Sequence, residues 1–380
     1  MRTLNFDVDL LPTPCYIVDE GLLIKNLEIL RDVSTRAGCD ILLAQKAFSM
    51  FSLYPLIAEY LAGTAASGLN EAKLSRDYMG KSNHVFCAAY DDKDIDEILR
   101  ICDHVIFNSF SQWERFKDKA LSAKKSYGIR INPEYSTQQG AIYDPCSPGS
   151  RLGVTVRNFR FDDLGGIEGM HFHTLCEQNF DALEATLKVV EDKFSSCFKN
   201  LKWINMGGGH HITREDYDID GLVNRIKSFR EKYGLKVYLE PGEAIALNAG
   251  FLVSSVLDIV NNDSLNSAIL DTSASCHMPD VIEMPYRPRV LRSGQKGEKA
   301  HDYTLGGPTC LAGDIIGDYS FDSPLNPGDK LIFEDMAIYS MVKNNTFNGV
   351  NLPSIAICRR SGDIEIIKKF GYEDFRDRLS

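Results

Sequence analysis

Between residues 41 and 240 the chain repeats one unit eight times: a short apolar run followed, in most cases, by an amphipathic stretch. The runs are 41–45, 64–67, 84–88, 104–107, 127–131, 167–172, 203–206 and 236–240. Short apolar runs bounded by polar residues predict strands buried on both faces, as parallel sheets require. Helical spacing appears between most of them, at 52–62, 70–79, 91–101, 110–123, 179–198 and 219–233. The exception is 132–166, a long Gly/Pro-rich segment before the sixth strand. Eight strands alternating with helices predict an α/β fold, a (β/α)8 barrel over 19–245. An open doubly wound sheet is the alternative, and the eight regular units favour closure.

The flanks differ. Residues 1–18 read as an N-terminal segment with a strand at 13–18, expected to pack with the C-terminal part of the chain. Residues 19–37 place Leu22, Leu23, Leu27, Leu30 and Val33 on one side of a helix. From about residue 246 the pattern shifts to strands at 251–260, 267–270, 303–305, 330–333 and 354–368, with turns at 326–329 and 361–363. Helical spacing is absent there except near the C-terminus, which predicts an antiparallel β domain over 246–380.

Composition narrows the functional classes. The net charge is −11 with no basic run, which argues against a nucleic-acid partner and suits a cationic substrate. No apolar run approaches the roughly 18 residues of a membrane span. The opening Met1-Arg2-Thr3-Leu4-Asn5-Phe6-Asp7 lacks the form of a signal peptide. Ten scattered cysteines without a CxxC pair predict reduced thiols and a cytoplasmic location.

Barrels place their active groups at the C-terminal ends of the strands. Those ends carry Lys46, Ser67, Asn108, Arg130, His171 and His173, then Gly207, Gly208 and Gly209 with His210 and His211, and Glu240 to Glu243. A lysine pointing into such a pocket is disfavoured as an ammonium, the state a Schiff-base lysine needs to lose; a lysine reaching out to solvent is the plain alternative. Three consecutive glycines bring several N–H groups to one point and cradle phosphate, or form a simple turn. The absence of GxxxxGK[ST] argues against a nucleotide triphosphatase. In Glu240-Pro241-Gly242-Glu243 the first carboxylate suits a protonated ring nitrogen and Gly242 adds a backbone donor, unless Glu240 only pairs with Arg130. His171-Phe172-His173 fits two chemistries: a metal pair in a hydrolase barrel, or, for His173, a flat ring stacked on a flat cofactor. Cys310, in Gly306-Gly307-Pro308-Thr309-Cys310-Leu311-Ala312-Gly313-Asp314, reads as a reactive thiol or a structural one.

Taken in order, lysine, Phe-His, Gly-Gly-Gly, Glu-Pro-Gly, Gly-Pro-Thr-Cys and the segment Met336-Ala337-Ile338-Tyr339-Ser340, these motifs resemble the fold-type III pyridoxal-phosphate enzymes. This is the alanine-racemase-like barrel group that includes ornithine and diaminopimelate decarboxylases. The resemblance runs from Thr13-Pro14 to Asn345-Thr346-Phe347-Asn348-Gly349. Several stretches are closer to members acting on carboxylated polyamines: His171-Phe172-His173-Thr174-Leu175-Cys176-Glu177, Gly207-Gly208-Gly209-His210-His211, Glu240-Pro241-Gly242-Glu243-Ala244, His277-Met278-Pro279-Asp280 and Cys310-Leu311-Ala312-Gly313-Asp314.

The resemblance implies pyridoxal 5'-phosphate as cofactor and no metal. Lys46 matches the residue that carries the cofactor and His173 the one that stacks on its ring. Gly207, Gly208 and Gly209, with Tyr339, match the phosphate contacts, and Glu240 matches the partner of the ring nitrogen. Cys310 matches a cysteine contributed across a homodimer interface, whose thiol protonates the carbanion after CO2 leaves. The departures bear on substrate. Glu243 replaces an arginine and Leu311 replaces an acid, which points Glu243 and Asp280 at the ammonium groups of a small cationic carboxylated polyamine. Decarboxylation of diaminopimelate or a basic amino acid is the alternative within the group. Cys176 replaces a serine, and Asn70 and Glu71 fall out of register with the usual acid, so neither is assigned.

Overall fold

The computed structural model describes residues 4–138, 140–263 and 265–380. The first three residues of the predicted N-terminal segment lie outside the described residues. The chain forms two compact units, one of Asn26–Ile245 and one of Met1–Lys25 with Ala246–Ser380.

After β1 (Cys15–Asp19) and the helix Glu20–Ala37 come β2 (Asp40–Ala44), β3 (Gly63–Ala66), β4 (Ser82–Phe86), β5 (His104–Phe107), β6 (Ser126–Arg130), β7 (Gly169–His171), β8 (Trp203–Asn205) and β9 (Lys236–Leu239). β2 to β9 pair in sequence order and close as a barrel, with Asp40 against Tyr238 and Ile41 against Leu239 at the seam. Side chains fill its interior. The His84 and His104 rings stack at 3.9 Å, with Tyr238 edge-on to both and Trp203 edge-on to His104. Gly128, Gly169 and Trp203 lie side by side in the strand register. A Cβ at Gly169 would come within 2.0 Å of the Trp203 indole and one at Gly128 within 2.4 Å, so the two glycines make room for it.

The predicted helices are present, with shifted ends. The 70–79 pattern is an α-helix at Leu69–Leu74 continuing as a π-helical turn at Ser75–Met79. The 52–62 pattern shrinks to Phe51–Leu53 and Tyr54–Ile57, with Pro55 in the first turn, where its missing N–H costs nothing. Ser109 and Asp218 cap the helices Phe110–Ala123 and Ile219–Tyr233, their side chains accepting from the Gln112 and Gly221 N–H groups.

The second unit is a sheet of β10 (Gly250–Asn262), β11 (Leu265–Leu270), β12 (His301–Gly306), β13 (Ile315–Phe321), β14 (Lys330–Glu334), β15 (Ser354–Cys358) and β16 (Ile364–Lys368), joined by β1. The order is β13-β12-β11-β10-β1-β15-β16, with β14 also on β10. The sheet is mainly antiparallel, as expected, but β1–β15 and β11–β12 are parallel pairs. A parallel pair needs a long crossover. Between β11 and β12 that crossover carries two short helices, Ala274–His277 and Asp280–Glu283. The sequence pattern missed them because a single turn is too short to display a 3.6-residue period. Alternation along β1 sends Tyr16 into one core, with Leu252, Tyr319 and Phe333, and Cys15 and Ile17 into another, with Phe251 and Ala356.

Candidate active site

Gln45 follows β2, and its backbone N–H continues the ladder to the Ala65 carbonyl before the chain turns at Lys46 and Ala47. The turn aims Lys46 into a cleft at the barrel mouth that is also lined by Phe86, Arg130, His171, His173 and Glu240. The amine Nζ lies 3.4 Å from His173 Nε2. On the far side of that ring, Nδ1 accepts from the Gly208 N–H at 3.1 Å. An Nδ1 that accepts leaves the ring proton on Nε2, the nitrogen that faces the Lys46 amine.

Burial, then the Arg130 guanidinium, push the Lys46 amine below its ordinary value, against Glu240 and Glu71. Lys46 counts as exposed because its tip opens on the cleft; protein nevertheless encloses it on nearly every side, and that enclosure governs its charge. Burial, then Lys46 and Arg130, hold His173 well below the usual histidine range. Arg130 itself is lowered to about 10 by burial. Its guanidinium donates to the His173 carbonyl at 3.1 Å and lies over Phe86 at 4.5 Å.

Glu240 follows β9. One of its oxygens accepts from Asn205 Nδ2 at 2.6 Å and the other from His171 Nε2 at 3.2 Å. Burial alone would raise this carboxyl, but His171, Asn205 and Lys46 outweigh it and hold the group below its ordinary value, as a carboxylate. His171 is kept neutral mainly by burial and stacks on Phe86.

The glycine loop needs its glycines. Gly207 and Gly209 have φ of +71° and +82°, and a Cβ at Gly208 would sit 1.9 Å from the Glu240 carbonyl oxygen. The loop is anchored by the Gly207 N–H on Asn205 Oδ1 at 2.9 Å and the Glu240 N–H on the Gly207 carbonyl at 2.7 Å. Gly242 lets the Glu240 loop approach the lysine turn, since a Cβ there would be 2.6 Å from that of Ala47. Glu243 is bonded to His211 Nε2.

The remaining predicted residues lie in the second unit. Tyr339, at φ +57°, precedes the one-turn helix Ser340–Lys343. Asp280 pairs with Lys343 at 2.5 Å, and Glu283 pairs with the same ammonium. Cys310 is exposed in the turn between β12 and β13.

Residues 15–337 match the family described as pyridoxal-dependent decarboxylase, C-terminal sheet domain. The chain belongs to the pyridoxal-dependent decarboxylase family. It is 44% identical over 374 residues to the carboxynorspermidine/carboxyspermidine decarboxylase of Campylobacter jejuni, covering 96% of this chain and 97% of that one. It is 44% identical over 372 residues to the carboxyaminopropylagmatine decarboxylase of Synechocystis, covering 97% and 96%. The crystal structure of a carboxynorspermidine decarboxylase from Campylobacter jejuni complexed with norspermidine superposes with a TM-score of 0.90 at 42% identity, over 97% of this chain and all of that one.

The family, the barrel fold and the carboxy-lyase class are those the motifs implied. The hydrolase alternative is set aside by the family match and the decarboxylase relatives; His171 is bonded to Glu240 and His173 to Gly208. Sequence reading missed the residues that orient the predicted ones: Asn205, His171 as a partner of Glu240, His211 and Lys343. Asn205 had a local signal, standing two residues before Gly207, where an Asn side chain reaches the backbone two positions on. Glu71, left unassigned, accepts from the Ser67 N–H at 2.6 Å; burial raises its carboxyl, with Lys46 acting the other way.

Proposed function

We propose that this chain decarboxylates carboxynorspermidine and carboxyspermidine to norspermidine and spermidine, with pyridoxal 5'-phosphate held at the barrel mouth. The observation that carries the reading is Lys46, an enclosed amine pushed below its ordinary value, at the same barrel mouth as a carboxylate that its neighbours keep ionised. The donor set fits the cofactor. Lys46 would bind its aldehyde carbon, His173 would face its ring, and Glu240 would pair with its protonated nitrogen. Gly207, Gly208 and Gly209 would hold its phosphate, and Gly242 would add a backbone donor. When bound, the cofactor ring supplies a sink for the electron pair left as the carboxyl group departs.

The protein supplies the rest. Asn205 and His171 fix Glu240 so that its charge is in place beforehand. Gly208 fixes the His173 ring. We assign the return of a proton to the decarboxylated carbon to Cys310 of a second copy in a homodimer: the S–H bond breaks, the new C–H bond takes the electron pair left by CO2, and water re-protonates the sulfur. Glu243 and Asp280 would receive the substrate's ammonium groups, which then take the places of His211 and Lys343. The unpaired state of all ten cysteines suits the cytoplasm, and no helix among the described residues is long and apolar enough to cross a membrane.

The test is kcat/KM for carboxynorspermidine, carboxyspermidine, carboxyaminopropylagmatine and diaminopimelate. The first two are expected to lead. A preference for diaminopimelate would overturn the substrate assignment, and a preference for carboxyaminopropylagmatine would move it to a guanidinium-ended polyamine.

A further inference from the structure

Cys310 is the exposed cysteine of the ten, and one side chain holds it by two bonds. Asn348 Oδ1 accepts from the Cys310 backbone N–H at 3.0 Å and lies 3.1 Å from its Sγ. An amide oxygen accepts and cannot donate, so the sulfur must supply the hydrogen, and the contact requires the protonated thiol.

Asn348 is placed for this by an uncommon backbone conformation, φ +56° and ψ +15°, which Asn tolerates better than most residues with a side chain. The turn around it is tied down. Asn345 donates its backbone N–H to the Cys276 carbonyl at 2.9 Å and its side-chain Nδ2 to the Ser275 carbonyl at 2.8 Å. The Phe347 N–H returns to Asn345 Oδ1 at 2.9 Å. The turn carrying Cys310 is closed independently by buried Asp314, which accepts from Thr309 Oγ1 at 2.7 Å and from Ser273 Oγ at 2.9 Å. Ser273 caps the helix Ala274–His277 to which Asn345 is bonded. Two anchors on one short helix therefore bring the Asn348 amide and the Cys310 thiol together.

We propose that Asn348 is a positioning residue for the protonation step: its amide oxygen holds the Cys310 S–H in one orientation between turnovers, and rotation about the Cβ–Sγ bond then presents the hydrogen to the carbon that has lost CO2. The proposal rests on the reading of Cys310 given above. Asn348→Gly and Asn348→Asp separate the parts of the role, since glycine keeps the left-handed backbone without the acceptor and aspartate keeps an oxygen in place.

Two readouts are taken on holoenzyme: the rate of Cys310 alkylation by iodoacetamide at fixed pH, followed by peptide mass, and kcat with KM. N348G is expected to alkylate about threefold faster, the worth of a weak S–H···O bond. Its kcat is expected to fall about tenfold or more with KM little changed, as loss of alignment does. N348D is expected to alkylate no faster than wild type and to recover most of kcat. Added to Cys310→Ser, N348G is expected to cost nothing further. Unchanged alkylation in N348G, or its full kcat loss persisting in the Cys310→Ser background, would overturn the proposal while leaving the reading of Cys310 intact. Cys310→Ser with wild-type kcat would overturn that reading, and the proposal with it.

Discussion

A lysine at a strand end is ordinarily a solvated cation; at Lys46 the surroundings work against the charge. The barrel mouth removes water, Arg130 opposes the charge, and the His173 ring stands 3.4 Å from the amine. Lys46→Ala is expected to abolish the visible absorption that cofactor addition confers on wild type, with the fold unchanged by circular dichroism; an equal band in both proteins would remove Lys46 from the site. Glu243 and Asp280 raise a different question, because each already has a basic partner, His211 and Lys343. If polyamine ammonium groups replace those partners, Glu243→Ala and Asp280→Ala raise KM by about tenfold, the ~1.4 kcal/mol of one exchanged ion contact, and lower kcat less. Unchanged KM in both variants would remove the substrate contacts. At this scale the motif residues were legible from type and order alone. Their partners were not: His211 lies 32 residues from Glu243 and Lys343 lies 63 from Asp280.

The loop Gly207, Gly208, Gly209 is an element whose composition is dictated by its neighbours' backbone. A methyl at Gly208 meets the Glu240 carbonyl oxygen, which has no rotamer by which to move away. Gly208→Ala is therefore expected to weaken cofactor binding by about tenfold or more, measured by titrating the apo protein and following absorbance. Gly68, where an added methyl would have nothing within 4 Å and the backbone is extended, is the control, and Gly68→Ala is expected to stay within about 0.5 kcal/mol of wild type in stability. If both behave alike, the loop is not a tight cradle. The barrel strands were legible because period and burial are local signals. The one-turn helices at Ala274–His277 and Asp280–Glu283 were not, since the crossover between parallel β11 and β12 creates them.

The whole molecule carries a liability in its histidines. Burial lowers His104 to about 4 and His84 well below 6.5. Between about pH 4 and 6.5 the unfolded chain binds a proton at His104 that the folded chain refuses. Stability therefore falls as pH drops through that window, and each such group costs up to ~1.4 kcal/mol per pH unit. His104→Phe keeps a flat ring against His84 and removes the titration. Urea unfolding at pH 7 and pH 5 should show wild type losing about 2 kcal/mol more than this variant; equal losses would mean that His104 is charged in the fold. The chain on its own determined the eight-strand alternation, the second β-rich region, and which residue types stand at the strand ends, because backbone preference and apolar period act over a few neighbouring positions. Only the tertiary structure decided which of those residues are charged and what each one faces. Lys46 and His173 stand 127 residues apart and meet at 3.4 Å, and Coulomb and desolvation energies follow that distance in space, with no trace of it in the order of the chain.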